Sequence, residues 1–194
     1  MKSLNIVVLA AGKGTRMYSD KPKVLHALAG KPLVQHVLEC ANALQPKQVC
    51  VVYGHGGEAV PTAIRQYAAN FVIQEPQLGT GHAVQQAMPH LDDDSLTMVL
   101  YGDVPLIQAE TLQRMQQAGD GLVLLTVNLS NPTGYGRIVR NAKNEVLSIV
   151  EEKDASSEQR KICEVNTGIL LAPTKLLRSW LTNLQNNNSQ GEYY

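Results

Sequence analysis

The run Leu4-Asn5-Ile6-Val7-Val8-Leu9-Ala10 passes without a break into Ala11-Gly12-Lys13-Gly14-Thr15-Arg16-Met17. A short β-branched run ended by glycines reads as a buried strand that feeds a tight loop. Glycines let such a loop approach a ligand closely, and its consecutive N–H groups can point at phosphate oxygens. Lys13 and Arg16 add cationic side chains over the same spot, and Lys21-Pro22-Lys23 follows on a proline-stiffened segment. The stretch points to an α/β protein that meets a nucleotide phosphate at the end of its first strand. Two better-known loops are excluded. A Walker A loop needs four residues between its first glycine and Gly-Lys, then Ser or Thr, and the chain has no such stretch. The dinucleotide fingerprint needs a third glycine three positions after the second, where this chain has Met17. An ordinary strand-to-helix turn remains the alternative at this point.

Working outward, the elements alternate. A helix is expected over Pro32 to Leu44, a strand over Gln48 to Tyr53, and a helix over Glu58 to Ala69 with Pro61 in its first turn. A short strand, Phe71 to Gln74, precedes a helix from about Gly81 to Met88; Thr97 to Tyr101 reads as a strand and Ala109 to Ala118 as a helix. Such alternation implies a mainly parallel, Rossmann-like sheet flanked by helices, with ligands outside the carboxyl ends of its strands. Gly12–Arg16, Gln74–Thr80 and Gly102-Asp103 all lie just past strand ends, so they are expected on one rim. From Gly121 strands dominate: Leu122 to Leu129, Arg137 to Arg140, Val146 to Val150 and Glu164 to Leu171, with a helical patch near Ser157 to Lys161. This half is expected to form a smaller mixed β-rich lobe over the site, followed by a helix over Thr174 to Leu184 and a polar loop over Gln185 to Gln190.

The chain has 194 residues, which suits one α/β domain with a real core. Its 17 basic residues balance 17 acidic ones, which excludes a broad basic face for nucleic acid and leaves a small anionic ligand met by a local site. Cys40, Cys50 and Cys163 are odd in number and lack metal spacing, which suits a reducing cytoplasm. No apolar stretch approaches bilayer length, so no membrane insertion is expected. The five histidines form no catalytic cluster; His26 and His36 are expected beside helices, His55 and His82 in loops.

Six motifs stand in order: Leu9 to Met17, Pro22-Lys23-Val24-Leu25-His26, Gln77-Leu78-Gly79-Thr80-Gly81-His82-Ala83, Tyr101-Gly102-Asp103-Val104-Pro105-Leu106, Asn131-Pro132-Thr133-Gly134-Tyr135-Gly136-Arg137-Ile138 and Asn166-Thr167-Gly168-Ile169. Together they resemble the sugar-nucleotide pyrophosphorylase family of nucleotidyltransferases. Within it they look most like the uridyltransferase domain of the bacterial bifunctional N-acetylglucosamine-1-phosphate uridyltransferase/glucosamine-1-phosphate acetyltransferases. The resemblance runs from the first strand to the last residue. It implies Mg²⁺-dependent transfer of uridylyl from UTP to N-acetylglucosamine 1-phosphate, giving UDP-N-acetylglucosamine and diphosphate for peptidoglycan and lipopolysaccharide synthesis. It also implies one domain over 1–194, incomplete at its C-terminus, with a nucleotide-binding half over about 1–120 and a sugar-binding half over 121–194. In that family a left-handed β-helix follows, carries acetyl transfer and builds a homotrimer. The alternatives are a pyrophosphorylase for another sugar nucleotide and a non-catalytic nucleotide-sugar-binding module.

Nucleotidyl transfer brings two anions together, so its site works by charge neutralisation and alignment. Arg16 is the candidate grip on the triphosphate, because its fork can hold two oxygens. Lys23 is the candidate for the α-phosphate, while Lys13 could equally face solvent. Asp103, past a strand end, offers one carboxylate to a hard cation, though an Asx turn before Pro105 would explain it too. By resemblance Asp103 shares the metal with an asparagine downstream of this chain, so the 194-residue piece is expected to be poorly active.

The Gln74 amide offers donor and acceptor to a uracil edge, and Gly79 lets a planar ring approach, although a strand-end glutamine and a loop glycine need no ligand. The resemblance implies that Leu9, Ala10, Ala11, Gly12, Gln74, Gly79 and Thr80 line the nucleotide. It implies likewise that Tyr101, Gly102, Gly136, Glu151 and Asn166 meet the substrate on its sugar side. Read alone, Glu151 belongs to a solvated charged patch with Glu152, Lys153 and Asp154. Tyr194 is a lesser candidate at the chain end.

Overall fold

The computed structural model describes residues 2–12, 14, 17–119, 121–186, 191 and 193. The opening run forms β1 (Leu4–Leu9), buried along its whole length. It pairs in parallel with β4 (Gln48–Tyr53) on one side and β6 (Leu96–Tyr101) on the other, and β5 (Asn70–Ile73) extends the parallel set beyond β4.

The unbroken apolar run follows from this central position. Ile6 and Val8 face a core with α1 (Leu33–Asn42), α2 (Ala59–Ile64) and α4 (Ala109–Gln117); Val7 and Leu9 face a second core with α3 (Thr80–Ala87) and α5 (Thr174–Thr182). A strand covered on both faces has no polar side to alternate with.

The second half is hydrogen-bonded into the same sheet. β10 (Glu164–Pro173) runs antiparallel to β6 through Leu170–Pro173 and to β7 (Val123–Asn128), and its first part also meets β8 (Arg137–Arg140), which pairs with β9 (Val146–Val150). The eight-stranded sheet has the order β5-β4-β1-β6-β10-β8-β9, with β7 attached to β10. The expected smaller lobe is thus continuous with the parallel sheet rather than laid over it as a separate one. Between Asn166 and Leu170 the pairing with β7 shifts register, a bulge in which Thr167 Oγ1 donates to Leu125 O at 2.7 Å. Bulges re-aim side chains and increase local twist.

Three elements differ from expectation. The helix foreseen over 58–69 stops at Ile64, where the Tyr67 N–H turns back to the Ile64 carbonyl and closes the end as a tight turn. A hairpin of β2 (Ala27–Leu28) and β3 (Lys31–Pro32) intervenes before α1. Its turn residues, Ala29 and Gly30, both have positive φ; two-residue strands show no period, and Ala-Gly lacks the usual Asn-Gly signature. The last helix ends at Thr182 rather than Leu184.

Candidate active site

Leu9 and Tyr101 are register partners at the ends of β1 and β6, so Ala10–Gly12 and Gly102–Asp103 leave the sheet side by side. Gln74, just past β5, donates its backbone N–H to the Tyr53 carbonyl at the end of β4 (2.7 Å). Three strand ends therefore share one rim, and a cleft of about 460 Å³ opens there.

Leu9, Ala10, Ala11 and Gly12 form one wall of the cleft; Gln74, Gly79 and Thr80 form another; Lys23, Tyr101 and Asp103 close it. Gly102 does not line it. That glycine is buried behind the wall, where its N–H donates to the Leu9 carbonyl at 2.9 Å. Lys13, Arg16 and Tyr194, singled out in the sequence, lie outside the described residues.

Lys23 reaches the cleft from a 3-10 turn, Lys23–Leu25, that follows the buried Pro22. Gly14, at φ +61°, lies so close to it that a Cβ there would come within 2.7 Å of the Lys23 Cβ. Only glycine takes this conformation and this contact without strain, and the loop thereby rests on the lysine's stem. At the other end of that stem Nζ donates to Asp103 Oδ2 at 2.5 Å.

Gln74 is 4 % exposed and its amide is held from two sides. Nε2 donates to the Gly79 carbonyl at 2.9 Å and lies 3.2 Å from His82 Nδ1, while His82 Nε2 lies 3.0 Å from the Gln86 amide. His82 was expected in a loop, but α3 begins at Thr80 and carries both His82 and Gln86.

Leu9, Thr80 and Tyr101 also line a second, adjoining cavity of about 720 Å³, where Gly136, Glu151 and Asn166 gather. Its remaining wall is mostly apolar, with Leu122, Leu124, Leu170 and Trp180. The Glu151 carboxylate lies across Gly136, so near that a Cβ there would sit 2.8 Å from Oε1. Burial pushes the Glu151 pKa up, Asp154 adds to the rise, and Arg137 opposes it. Burial also pushes up the Tyr101 phenol, aided by Asp103 and Glu151 and opposed by its hydrogen bond with Thr80. Tyr101 thus stands between the two cavities as a neutral hydroxyl.

Beneath the second cavity lies Arg137, 1 % exposed, paired through Nη2 with Glu152 Oε2 at 2.6 Å; its Nη1 donates to the Tyr135 carbonyl. Glu152 Oε2 also accepts from the Gly134 N–H at 3.3 Å, so the buried cation holds the loop directly at Tyr135 and, through Glu152, at Gly134. Sequence reading passed over Arg137, although it stands inside a quoted motif. It also missed Gln77, Val24 and Ala83 on the cleft wall. Gln77 could have been found from its place at the head of the Gln77-Leu78-Gly79 motif; the two apolar residues carry no signal.

A Rossmann-like sheet with its cleft on the carboxyl rim, continued by antiparallel strands around a second cavity, defines a nucleotidyltransferase fold. The chain belongs to the MobA-like NTP transferase domain family, whose model matches residues 6–168. It is similar to the bifunctional protein GlmU of Herminiimonas arsenicoxydans, 58% identical over 193 residues covering 98% of this chain and 42% of that protein. The bifunctional protein GlmU of Nitrosospira multiformis is 59% identical over 197 residues, covering 100% of this chain and 43% of that protein. The chain therefore spans less than half the length of these relatives. Among solved structures, a UDP-glucose pyrophosphorylase complexed with UDP-glucose superimposes with a TM-score of 0.77 at 18% identity, over 100% of this chain and 83% of that one. HddC from Yersinia pseudotuberculosis superimposes with a TM-score of 0.69 at 20% identity, over 92% of this chain and 80% of that one. These two likenesses concern the fold.

Proposed function

We propose that the chain carries the transfer of uridylyl from UTP to N-acetylglucosamine 1-phosphate, releasing diphosphate and leaving UDP-N-acetylglucosamine. The observation that carries this reading is the junction of the two cavities. A cleft with a cation, a carboxylate and an amide adjoins a chamber holding Gly136, Glu151 and Asn166, and Tyr101 is shared by both. That arrangement suits a nucleotide whose α-phosphate lies at the junction and a sugar beyond it.

A phosphate oxygen of the sugar phosphate attacks the α-phosphorus, the bond to the bridging α–β oxygen breaks, and diphosphate leaves with that electron pair. Lys23 Nζ neutralises charge on the α-phosphate. Its pair with Asp103 is no obstacle: both side chains are partly exposed, at 37% and 26%, and such pairs are worth at most about 1 kcal/mol. Gln74 and Gly79 hold the base, while Glu151 and Asn166 accept or donate to sugar hydroxyls and the N-acetyl group. The nucleotide therefore belongs to the first half of the chain and the sugar to the second.

A divalent cation is part of this proposal, with Mg²⁺ as its candidate. Among the described residues no cluster of three His, Cys, Asp or Glu is built for a metal. Asp103 is the one carboxylate on the cleft wall among those residues, which fits a cation that keeps waters and takes phosphate oxygens for its other ligands. When bound, the cation would offset charge on the phosphates beside Lys23.

Among the described residues no helix is long and apolar enough to cross a membrane, and a cytoplasmic enzyme acting on UTP fits the reading. Acetyl transfer and trimer formation belong, on this reading, to the part of the relatives beyond this chain's match.

Diphosphate release with UTP, N-acetylglucosamine 1-phosphate and Mg²⁺ tests the reading, with CTP, GTP and dTTP as competitors. Turnover with another nucleotide in preference to UTP would redirect it. Binding of UDP-N-acetylglucosamine with no turnover would reduce the chain to a binding module.

A further inference from the structure

The contacts around Gln74 fix more than its position. The Gly79 carbonyl can only accept, so the Gln74 group 2.9 Å from it is the NH₂. The second N–H of that NH₂ lies toward His82 Nδ1 at 3.2 Å, and this nitrogen must accept it. A neutral imidazole that accepts at Nδ1 carries its proton on Nε2. His82 Nε2–H therefore needs an acceptor; Gln86 Nε2 lies 3.0 Å away, and a half-turn of that amide puts its Oε1 there instead. The two ends of an amide are alike in shape, so the bonding decides which one faces the ring. His82 and Gln86 stand four residues apart on α3, on one face of the helix.

With both donors of Gln74 committed, the amide has only Oε1 left for the occupant of the cleft it lines. We propose that His82, accepting at Nδ1, is a positioning residue that joins the Gly79 carbonyl in holding the Gln74 NH₂ away from the nucleobase, so that Gln74 presents an acceptor and selects bases with an N–H at that edge. Uracil and thymine carry N3–H there. Cytosine carries a lone pair at N3, which would face Oε1 acceptor to acceptor. The inference rests on the reading of the cleft as the nucleotide site. It adds to that reading a mechanism by which base choice is enforced from outside the residues that touch the base.

The test uses the whole chain and equilibrium titration with UTP and CTP. His82→Phe removes one of the two acceptors that hold the Gln74 NH₂, so that only the Gly79 carbonyl opposes its turning toward the ligand. The ratio of UTP to CTP affinity should fall about ten-fold, the worth of one uncharged hydrogen bond. His82→Asn places an oxygen near the Nδ1 position and should restore the ratio to within about three-fold of the original. Nitrogen-15 shifts of the imidazole in the unaltered chain should show His82 protonated at Nε2 and bare at Nδ1.

An unchanged ratio in His82→Phe would overturn the relay while leaving the nucleotide site standing, as would a proton on Nδ1. Absence of UTP binding by the unaltered chain would remove the site reading and the relay together. Should His82→Phe not fold, the nitrogen shifts and the Asn variant decide the matter alone.

Discussion

Lys23 contributes little to holding the fold and much to the proposed chemistry. Its pair with Asp103 is partly exposed, so Lys23→Ala should leave stability within about 0.5 kcal/mol of the original in a urea titration. Losing one well-aimed charge at a developing phosphorane should lower kcat by about 10²- to 10³-fold, read as diphosphate release. A large fall in stability with unchanged kcat would assign Lys23 to structure. Glu151 makes a pH prediction. Burial raises its pKa, so its ionised form is reached at higher pH than for an ordinary glutamate, and the stabilisation belonging to its neutral form is lost as pH rises through that raised value. If ionised Glu151 holds sugar hydroxyls, the acid limb of kcat/KM for the sugar phosphate lies above the usual glutamate range, and Glu151→Gln abolishes that limb. A limb that survives the substitution belongs to another group.

At the far end of the sheet from the cleft, elements are joined by a buried polar network. Thr174, fully buried at the start of α5, bonds Ser95 Oγ at 2.8 Å and Thr97 Oγ1 at 2.7 Å, and Asn5 Nδ2 donates to the same Ser95 oxygen at 2.5 Å. This network fastens α5 to β1 and β6 below the carboxyl rim. Thr174→Val keeps the shape but takes the Thr174 partner from the buried Thr97 hydroxyl, while Ser95 keeps Asn5 and the Asp92 carbonyl, and should cost about 1–3 kcal/mol in urea unfolding. A cost below about 0.5 kcal/mol would mean that Thr97 finds another partner. At the opposite pole, the β10 bulge sets Asn166, whose Oδ1 accepts from the Gly168 N–H at 3.0 Å. The strand itself was plain from its apolar run, but the bulge was not. Gly168, inside the strand at φ +82°, is the one local hint of it, while the register shift itself arises from pairing with β7.

β10 is bonded to β6, β7 and β8, so the two halves of the chain share one strand. They should unfold together, with Trp180 fluorescence and far-UV circular dichroism giving coincident urea transitions. Two separated transitions would show that the halves are independent. The response to acid follows from the paired carboxylates. Arg140 holds the Glu164 pKa down by hydrogen bonding, and Arg137 does the same for Glu152. The unfolded chain then takes up more protons than the folded one in acid. The stability these pairs contribute is whole above the ordinary glutamate pKa and drains away as pH falls through the lowered values. Thermal midpoints should therefore drop through that window, and less steeply in Glu164→Gln. An equal slope in that variant would place the acid sensitivity elsewhere.

What the amino-acid sequence determined by itself is the layering and the rim. A β-branched run with no polar alternation has to be buried on both faces, which demands helices on either side and places Gly12, Gln74 and Asp103 just beyond strand ends on one rim. Only tertiary structure decided which side chains hold the site in shape. His82 reads as an unremarkable polar residue, and Arg137 as a surface charge. Their roles come from partners distant in space or hidden in the loop geometry: a Gln74 amide turned by the Gly79 carbonyl, and a Glu152 brought beneath Gly134 by the β8–β9 hairpin. Periodicity reports which face of an element is apolar. Hydrogen bonds between elements form only when the faces have met, so no local pattern encodes them.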